Sequence, residues 1–173
     1  RDLPTGRYND CQTIEELLLR SNATYLTGGL RDLQEIPDGS VDFVWSHAVL
    51  EHVRRDEFLP TMRELRRVLA PGGVASHRID LADHLGGALN NLRFRRTLWE
   101  SSTWSSSGFY TNRIRYREML DLFQEAGFAS DVVRVDRWKQ LPTPRRKLDR
   151  EFRNQPDQDL VVSGFDVILM PRH

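Results

Sequence analysis

The apolar positions change period twice between residues 36 and 79. Val41, Phe43, Val44 and Trp45 fall within one short run, β-branched and aromatic, which suits a buried strand. Before it, Pro37-Asp38-Gly39 signals a turn: proline presets φ, aspartate bonds its own backbone, and glycine tolerates positive φ. From Phe58, residues Leu59, Met62, Leu65, Val68 and Leu69 recur at helical spacing. Asp56 and Glu57 suit the start of that helix. Pro60 is expected in its first turn, because deeper it would interrupt the hydrogen-bond ladder. Pro71-Gly72-Gly73 is expected to stop the helix, and Val74 to Ile79 to resume as a strand. Strand, loop, helix and strand together predict a βαβ crossover with parallel strands. Ligands of such sheets bind beyond the carboxyl ends of the strands. That rule brings Ser46–His52 and His77–His84 to one rim, where His47, Glu51, His52, His77 and His84 would converge. The remaining histidine is His173.

The flanking regions read as follows. Arg1 to Asp10, with Pro4 and Gly6, reads as a loop. Thr13-Ile14-Glu15-Glu16 is a capping-box pattern that opens a helix ending near residues 20–22. Ala23 to Thr27 reads as a strand stopped by Gly28-Gly29. After Ile79, Leu92, Phe94 and Leu98 predict helix within Leu89–Trp99. The serines from Ser101 to Ser107 are interleaved with Trp99, Trp104, Phe109 and Tyr110, as a lid over an acceptor or as a satellite hydrophobic cluster. Tyr116, Met119, Leu120, Phe123 and Ala126 predict a helix ended by Gly127, and Ala129 to Val135 a strand. Trp138 to Asp159 is polar and holds Pro142, Pro144 and Pro156, with a short helix expected near Arg146–Arg153. Leu160 to Met170 is a long strand with Gly164 as a bulge or bend. The last two strands would form an antiparallel pair.

Length suits one domain, 1–173, with 80–115 as a lid or insertion and 138–159 as a polar connection. Lys+Arg and Asp+Glu both total 25, so net charge points neither to nucleic acid nor to an anionic membrane. Two stretches are nevertheless basic. Arg93–Arg117 has six arginines and one acid, and Arg134–Arg153 eight basic residues and three acids. The reading favoured for both is a solvated face, the alternative an acceptor bearing phosphate or carboxylate. One cysteine, Cys11, excludes an internal disulfide framework and points to a reducing, cytoplasmic compartment. No apolar run approaches the roughly 20 residues of a membrane span. No signal peptide is visible and Arg1 is no initiator, so the chain is expected to be processed, trimmed or part of something longer.

The run "IPDGSVDFVWSHAVLEHV", followed by "ELRRVLAPGG", resembles the middle of class I S-adenosylmethionine-dependent methyltransferases, type 11 group. "SHRIDLADH" is similar to a narrower bacterial branch of that group. The resemblance implies an α/β fold: a truncated Rossmann-like sheet of parallel strands plus a C-terminal antiparallel hairpin. It implies S-adenosyl-L-methionine as cofactor and a small-molecule or glycan-type acceptor. By the same resemblance Ser46 and His47 flank the methionine end of the cofactor. Leu30, with Arg31 beside it, takes the place where the family often has an aspartate near the adenine amine. His52 of the "LEH" motif becomes a general base, or alternatively a hydrogen-bonded tie between loop and strand. Apart from the resemblance, the cluster His77-x-x-Asp80-x-x-Asp83-His84 offers His77, Asp80 and His84 as substrate contacts, or alternatively as plain hydrogen-bonded structure. No glycine-rich loop follows an early apolar strand, and no acidic residue stands ready for the cofactor ribose. The first two strands of the family sheet are thus expected to be missing, leaving one edge of Val41–Trp45 open. Pairing with Ala23–Thr27, a second copy or an exchanged segment is expected to cover it. Two other readings stay open. One is a non-catalytic partner domain with this fold. The other is a metal-dependent hydrolase using His77, Asp80, Asp83 and His84, although no helical His-x-x-x-His spacing supports a metal.

Overall fold

The computed structural model describes residues 8–172. Residues 1–7 of the loop expected over Arg1–Asp10, with Pro4 and Gly6, and His173 lie outside them. Helix α1 (Ile14–Ser21) starts where the capping pattern put it. The Thr13 hydroxyl accepts from the Glu16 amide at 3.2 Å, and the Glu16 carboxylate accepts from Gln12 N at 2.8 Å. Residues 23–27 form no strand, contrary to the sequence reading. Tyr25 and Leu26 are exposed, and no neighbouring strand offers a ladder. Helix α2 (Leu30–Gln34) follows, fixed to the rest by the Arg67 guanidinium, which donates to Leu33 O at 2.9 Å and Ile36 O at 2.8 Å.

The crossover is present. Strand β1 (Val41–His47) leads through a 3₁₀ turn, Leu50–His52, into α3 (Arg55–Val68), and β2 (Leu69–Asp80) returns parallel to β1. Two details differ from the reading above. Helix α3 begins at Arg55, so Pro60 lies in its second turn. Pro60 is exposed, which leaves the carbonyl it cannot satisfy open to water. The helix already ends at Val68, and Pro71-Gly72-Gly73 forms a wide bulge inside β2. Val41 pairs with Leu69 but Phe43 with Val74. Gly73 is closely hemmed in there: a Cβ would stand 3.0 Å from the carbonyl oxygens of both Val41 and Ala70, so backbone would have to give way.

Two 3₁₀ or α turns, Asn90–Arg93 and α4 (Arg96–Trp99), replace the single helix expected over Leu89–Trp99. Short helix α5 (Ser102–Ser105) interrupts the serine-rich segment. Helix α6 (Tyr116–Glu125) and strand β3 (Phe128–Arg137) fall where expected. Then come a 3₁₀ turn at Arg145–Lys147, α7 (Arg150–Arg153), α8 (Asp157–Leu160) and strand β4 (Val162–Pro171). Strand β4 inserts between β2 and β3, antiparallel to both, giving the order β1-β2-β4-β3. Gly164 is a point of close approach, since a Cβ would meet Ile79 O at 2.8 Å. The bulge itself falls one residue earlier, at Ser163.

Helices α3 and α6 cover one sheet face. Phe58, Met62, Met119 and Phe123 pack on Ala75, Ile79, Phe165, Val167 and Leu169. The register puts Phe43, Trp45, Arg78 and Ile168 on the other face, which no helix covers among the described residues. Phe43 and Trp45 are 58% and 67% exposed. Of the coverings expected for the β1 edge, pairing with residues 23–27 does not occur. A second hydrophobic cluster joins residues 89–92 to 148–160 through Leu89, Leu92, Leu148, Phe152 and Leu160. No helix among the described residues is long and apolar enough to cross a membrane.

Candidate functional site

The carboxyl ends of β1 and β2 meet at one rim, as the crossover predicts. Two concavities open there. A polar one of about 340 Å³ is lined by His47, Arg78, Asp80, Asp136, Trp138 and Ser163. An apolar groove of about 500 Å³ lies between α2 and α3, lined by Leu26, Leu30, Leu33, Val49, His52 and Val53, with Asp32 and Glu57 among its carboxylates. The structure therefore brings Leu30 to His52, and His47 to Asp80. Arg31 is set apart. It opens α2 beside Leu30, largely exposed, its guanidinium 3.7 Å from Asp32.

His52 and His84 form the most specific pair. Their rings stand 4.9 Å apart. The Nδ1 atom of His52 lies 2.9 Å from Tyr110 O, and that of His84 3.3 Å from Gly108 O. A carbonyl only accepts, so each Nδ1 carries the proton. In the neutral ring Nε2 is then the basic nitrogen, and in both side chains it is left without a protein partner among the described residues. Asn112 holds the turn that presents His52, donating to Leu50 O at 2.8 Å and Val53 O at 3.0 Å.

Beneath the rim lies a second layer. Glu51 is 2% exposed, and its Oε1 accepts from Asp80 N at 3.2 Å while Oε2 has no partner. Burial pushes its carboxyl up to about 7. His77 is 2% exposed and faces the covered side of β2. Its Nδ1 is 2.7 Å from Ser46 Oγ and its Nε2 is unpaired. Burial pulls its imidazole down to about 4, so it is neutral near pH 7. Ser46 and His77 thus pair with each other in the sheet, one layer below His47 and Asp80. The Asp80 carboxylate accepts from Ala82 N at 2.8 Å, closing the turn off β2.

The residues of the metal reading do not meet. Asp83 is buried and accepts from the backbone of Leu85 and Asn90, His77 bonds Ser46, and His84 turns to His52. Among the described residues no group of three or more His, Cys, Asp or Glu is placed to hold a metal ion. The basic stretches do not behave as one solvated face either. Arg113 is buried between Trp99 and Phe152, 5.6 and 5.2 Å from their ring centres. Arg115 is buried too and donates to Leu81 O, Leu160 O and Val162 O at 2.6–3.2 Å. That ties the end of β2 to the start of β4. Sequence reading missed Asn112 and the carbonyls of Gly108 and Tyr110. A backbone acceptor leaves no mark in the residue pattern, and a lone asparagine before Arg113 reads as a turn residue.

Comparison with known proteins agrees with this architecture. Residues 9–76, which hold most of the crossover, match the family model described as a methyltransferase domain. An S-adenosylmethionine-dependent methyltransferase from Mesorhizobium loti is 18% identical, with a TM-score of 0.50 over 90% of this chain and 76% of its own. A complex between the Haloferax volcanii Trm112 methyltransferase activator and a methyltransferase is 18% identical, at a TM-score of 0.49, over 96% of this chain and 65% of that one. A Methanosarcina mazei S-adenosylmethionine-dependent methyltransferase is 20% identical at 0.47, over 79% and 62%. The chain thus spans less than two thirds of the last two. No curated protein matches it in sequence. The fold is that of class I S-adenosylmethionine-dependent methyltransferases.

Proposed function

We propose that the chain serves S-adenosylmethionine-dependent methyl transfer to a small-molecule or glycan-type acceptor. One observation carries the reading: at the strand-end rim of this fold, His52 has its Nδ1 committed to Tyr110 O and its Nε2 free. The residues present fit one wall of a cofactor site. The groove beside Leu30 is of ligand size, and Leu26, Leu33, Val49 and Val53 give it the apolar lining that a purine favours. Leu30 and Arg31 would stand at the adenine end, with Ser46 and His47 toward the methionine end. When bound, the cofactor supplies an electrophilic methyl on a sulfonium. His52 takes the proton from the acceptor hydroxyl through Nε2, and the Tyr110 carbonyl keeps the tautomer that allows it. Trp138 offers a stacking surface and Asp80 and Asp136 offer acceptors for hydroxyl groups, which supports a sugar-like substrate. His84 and the 80–115 segment close over it, and His77 supports the rim through Ser46. The single, unpaired Cys11 supports a cytoplasmic setting.

Calorimetric titration with S-adenosylhomocysteine tests the cofactor half. Saturable heat, lost in Leu30→Arg, which puts a long charged side chain into the apolar groove, is the expected result. With labelled S-adenosylmethionine and an accepted substrate, His52→Ala should lower kcat by about 10²-fold or more with KM little changed. A second reading, a partner domain that keeps the fold without catalysis, is favoured by the bare sheet face around Phe43 and Trp45. Silence at millimolar ligand would select it.

A further inference from the structure

Two basic stretches that lie more than fifty residues apart in sequence meet in the fold. Arg93 and Arg95 leave the 3₁₀ turn at Asn90–Arg93. Lys147, Arg150 and Arg153 come from the Arg145–Arg153 segment. Together they line one concavity of about 600 Å³, with Asp149 the only acid and Leu148 the only apolar residue in its lining. Leu148 is buried and belongs to the second hydrophobic cluster, so the floor is fixed. Asp149 N donates to Leu92 O at 2.9 Å, which ties one wall to the other.

The charges of this concavity are handled differently from those around it. Arg96 pairs with Glu151 at 2.7 Å, and Arg145 pairs with Asp157. Arg153 is steadied by the carbonyls of Leu148 at 2.9 Å and Arg146 at 3.3 Å. Among the described residues, the side chains of Arg93, Arg95, Lys147 and Arg150 make no ion pair and no hydrogen bond. Asp149, whose carboxylate accepts from Glu151 N at 3.1 Å, brings one negative charge against five positive ones, so the hollow keeps a cationic excess. The chain as a whole has equal numbers of cations and anions, so this excess is local rather than a general basic character. Like charges gathered in one hollow repel, and a bound anion relieves that repulsion.

We infer that this hollow is a binding site for a phosphate-bearing small molecule, and that it takes a diphosphate group in preference to a monophosphate. The three uncommitted arginines, Arg93, Arg95 and Arg150, offer planar, forked donors that match phosphoryl oxygens two at a time, and Lys147 adds a point charge. Five cations exceed what one phosphate neutralises, which favours the more highly charged group. The site lies apart from the histidine rim and shares none of its lining with it. The inference therefore holds whether or not the chain transfers a methyl group.

Calorimetric titration of the whole chain with inorganic pyrophosphate, orthophosphate and sulfate at constant ionic strength tests it. Pyrophosphate should saturate one site and bind at least about tenfold tighter than orthophosphate. The double variant Arg93→Gln/Arg150→Gln should weaken pyrophosphate by about tenfold or more, with thermal unfolding unchanged because both side chains are exposed and unpaired. Arg96→Gln, which removes a neighbouring paired charge, should change it by no more than about twofold. No saturation by about 10 mM pyrophosphate would overturn the site. An equal loss in Arg96→Gln would do the same, by showing diffuse attraction only. Displacement of pyrophosphate by a short single-stranded oligonucleotide at lower concentration would reassign the surface to nucleic acid and overturn the small-molecule reading.

Discussion

The two faces of the sheet are built from alternate residues of the same strands, yet they differ in almost every property. One carries Ala75, His77, Ile79, Phe165, Val167 and Leu169, and lies under α3 and α6. The other carries Phe43, Trp45, Ser76, Arg78 and Ile168 and, among the described residues, has no helix over it. Parallel strands normally have both faces covered, and β1 and β2 do not. Burial, rather than hydrophobicity, therefore decides what each residue contributes. Two exposed aromatic residues in β1 do less for the fold than one methionine in α3. The functional rim sits where the two regimes meet: His47 continues the bare face, and Ser46 the covered one.

The comparison is broken or sharpened by four measurements. The largest effect is expected from Phe58→Ala under the covered face, a loss of about 3–5 kcal/mol in urea unfolding. A loss below about 1 kcal/mol would mean that α3 is not packed as described.

Next comes the pH response of the buried layer. Glu51 titrates near 7 when folded against 4.5 in an unfolded chain, so its contribution is full below pH 4.5 and is lost as pH rises to about 7. His77 titrates near 4 against 6.5, so its contribution is full above pH 6.5 and is lost as pH falls toward 4. Each is worth on the order of 3 kcal/mol, and between pH 4.5 and 6.5 they oppose each other. Wild-type stability should be nearly flat there. Glu51→Gln should unmask a rise with pH, and His77→Asn a fall. Flat curves in both variants would remove the buried layer from the account.

A smaller effect, about 1–3 kcal/mol, is expected for Ser46→Ala, which strips the buried His77 of its hydrogen-bond partner. The smallest belongs to Trp45→Lys on the bare face, within about 0.5 kcal/mol. A loss of several kcal/mol there would show that something seals this face in solution.

Most of the covered face was legible in the residue pattern. The stripe Met62–Leu65–Val68 and the alternation around Val74–Ile79 follow directly from helical and strand periods, and they fixed the crossover and its rim. Two readings failed, one for lack of a partner and one because its signal serves two structures. Residues 23–27 have strand composition, but a strand exists only beside another. Pro71-Gly72-Gly73 carries stop signals that a bulge uses equally well. The site was legible as a set of histidines and not as a geometry. Which imidazole points to solvent and which lies under the sheet depends on strand parity at Ser46 and His77, and on carbonyls from a loop some sixty residues downstream of His52. The basic stretches failed as units because burial of Arg113 and Arg115 is set by carbonyls and rings that no charge count registers.

His52 and His84 both give their Nδ1 protons to one loop, at Tyr110 and Gly108. If that loop swings away, neither ring keeps a fixed tautomer. The tautomers of both rings and the posture of the tryptophan–serine segment are thereby coupled.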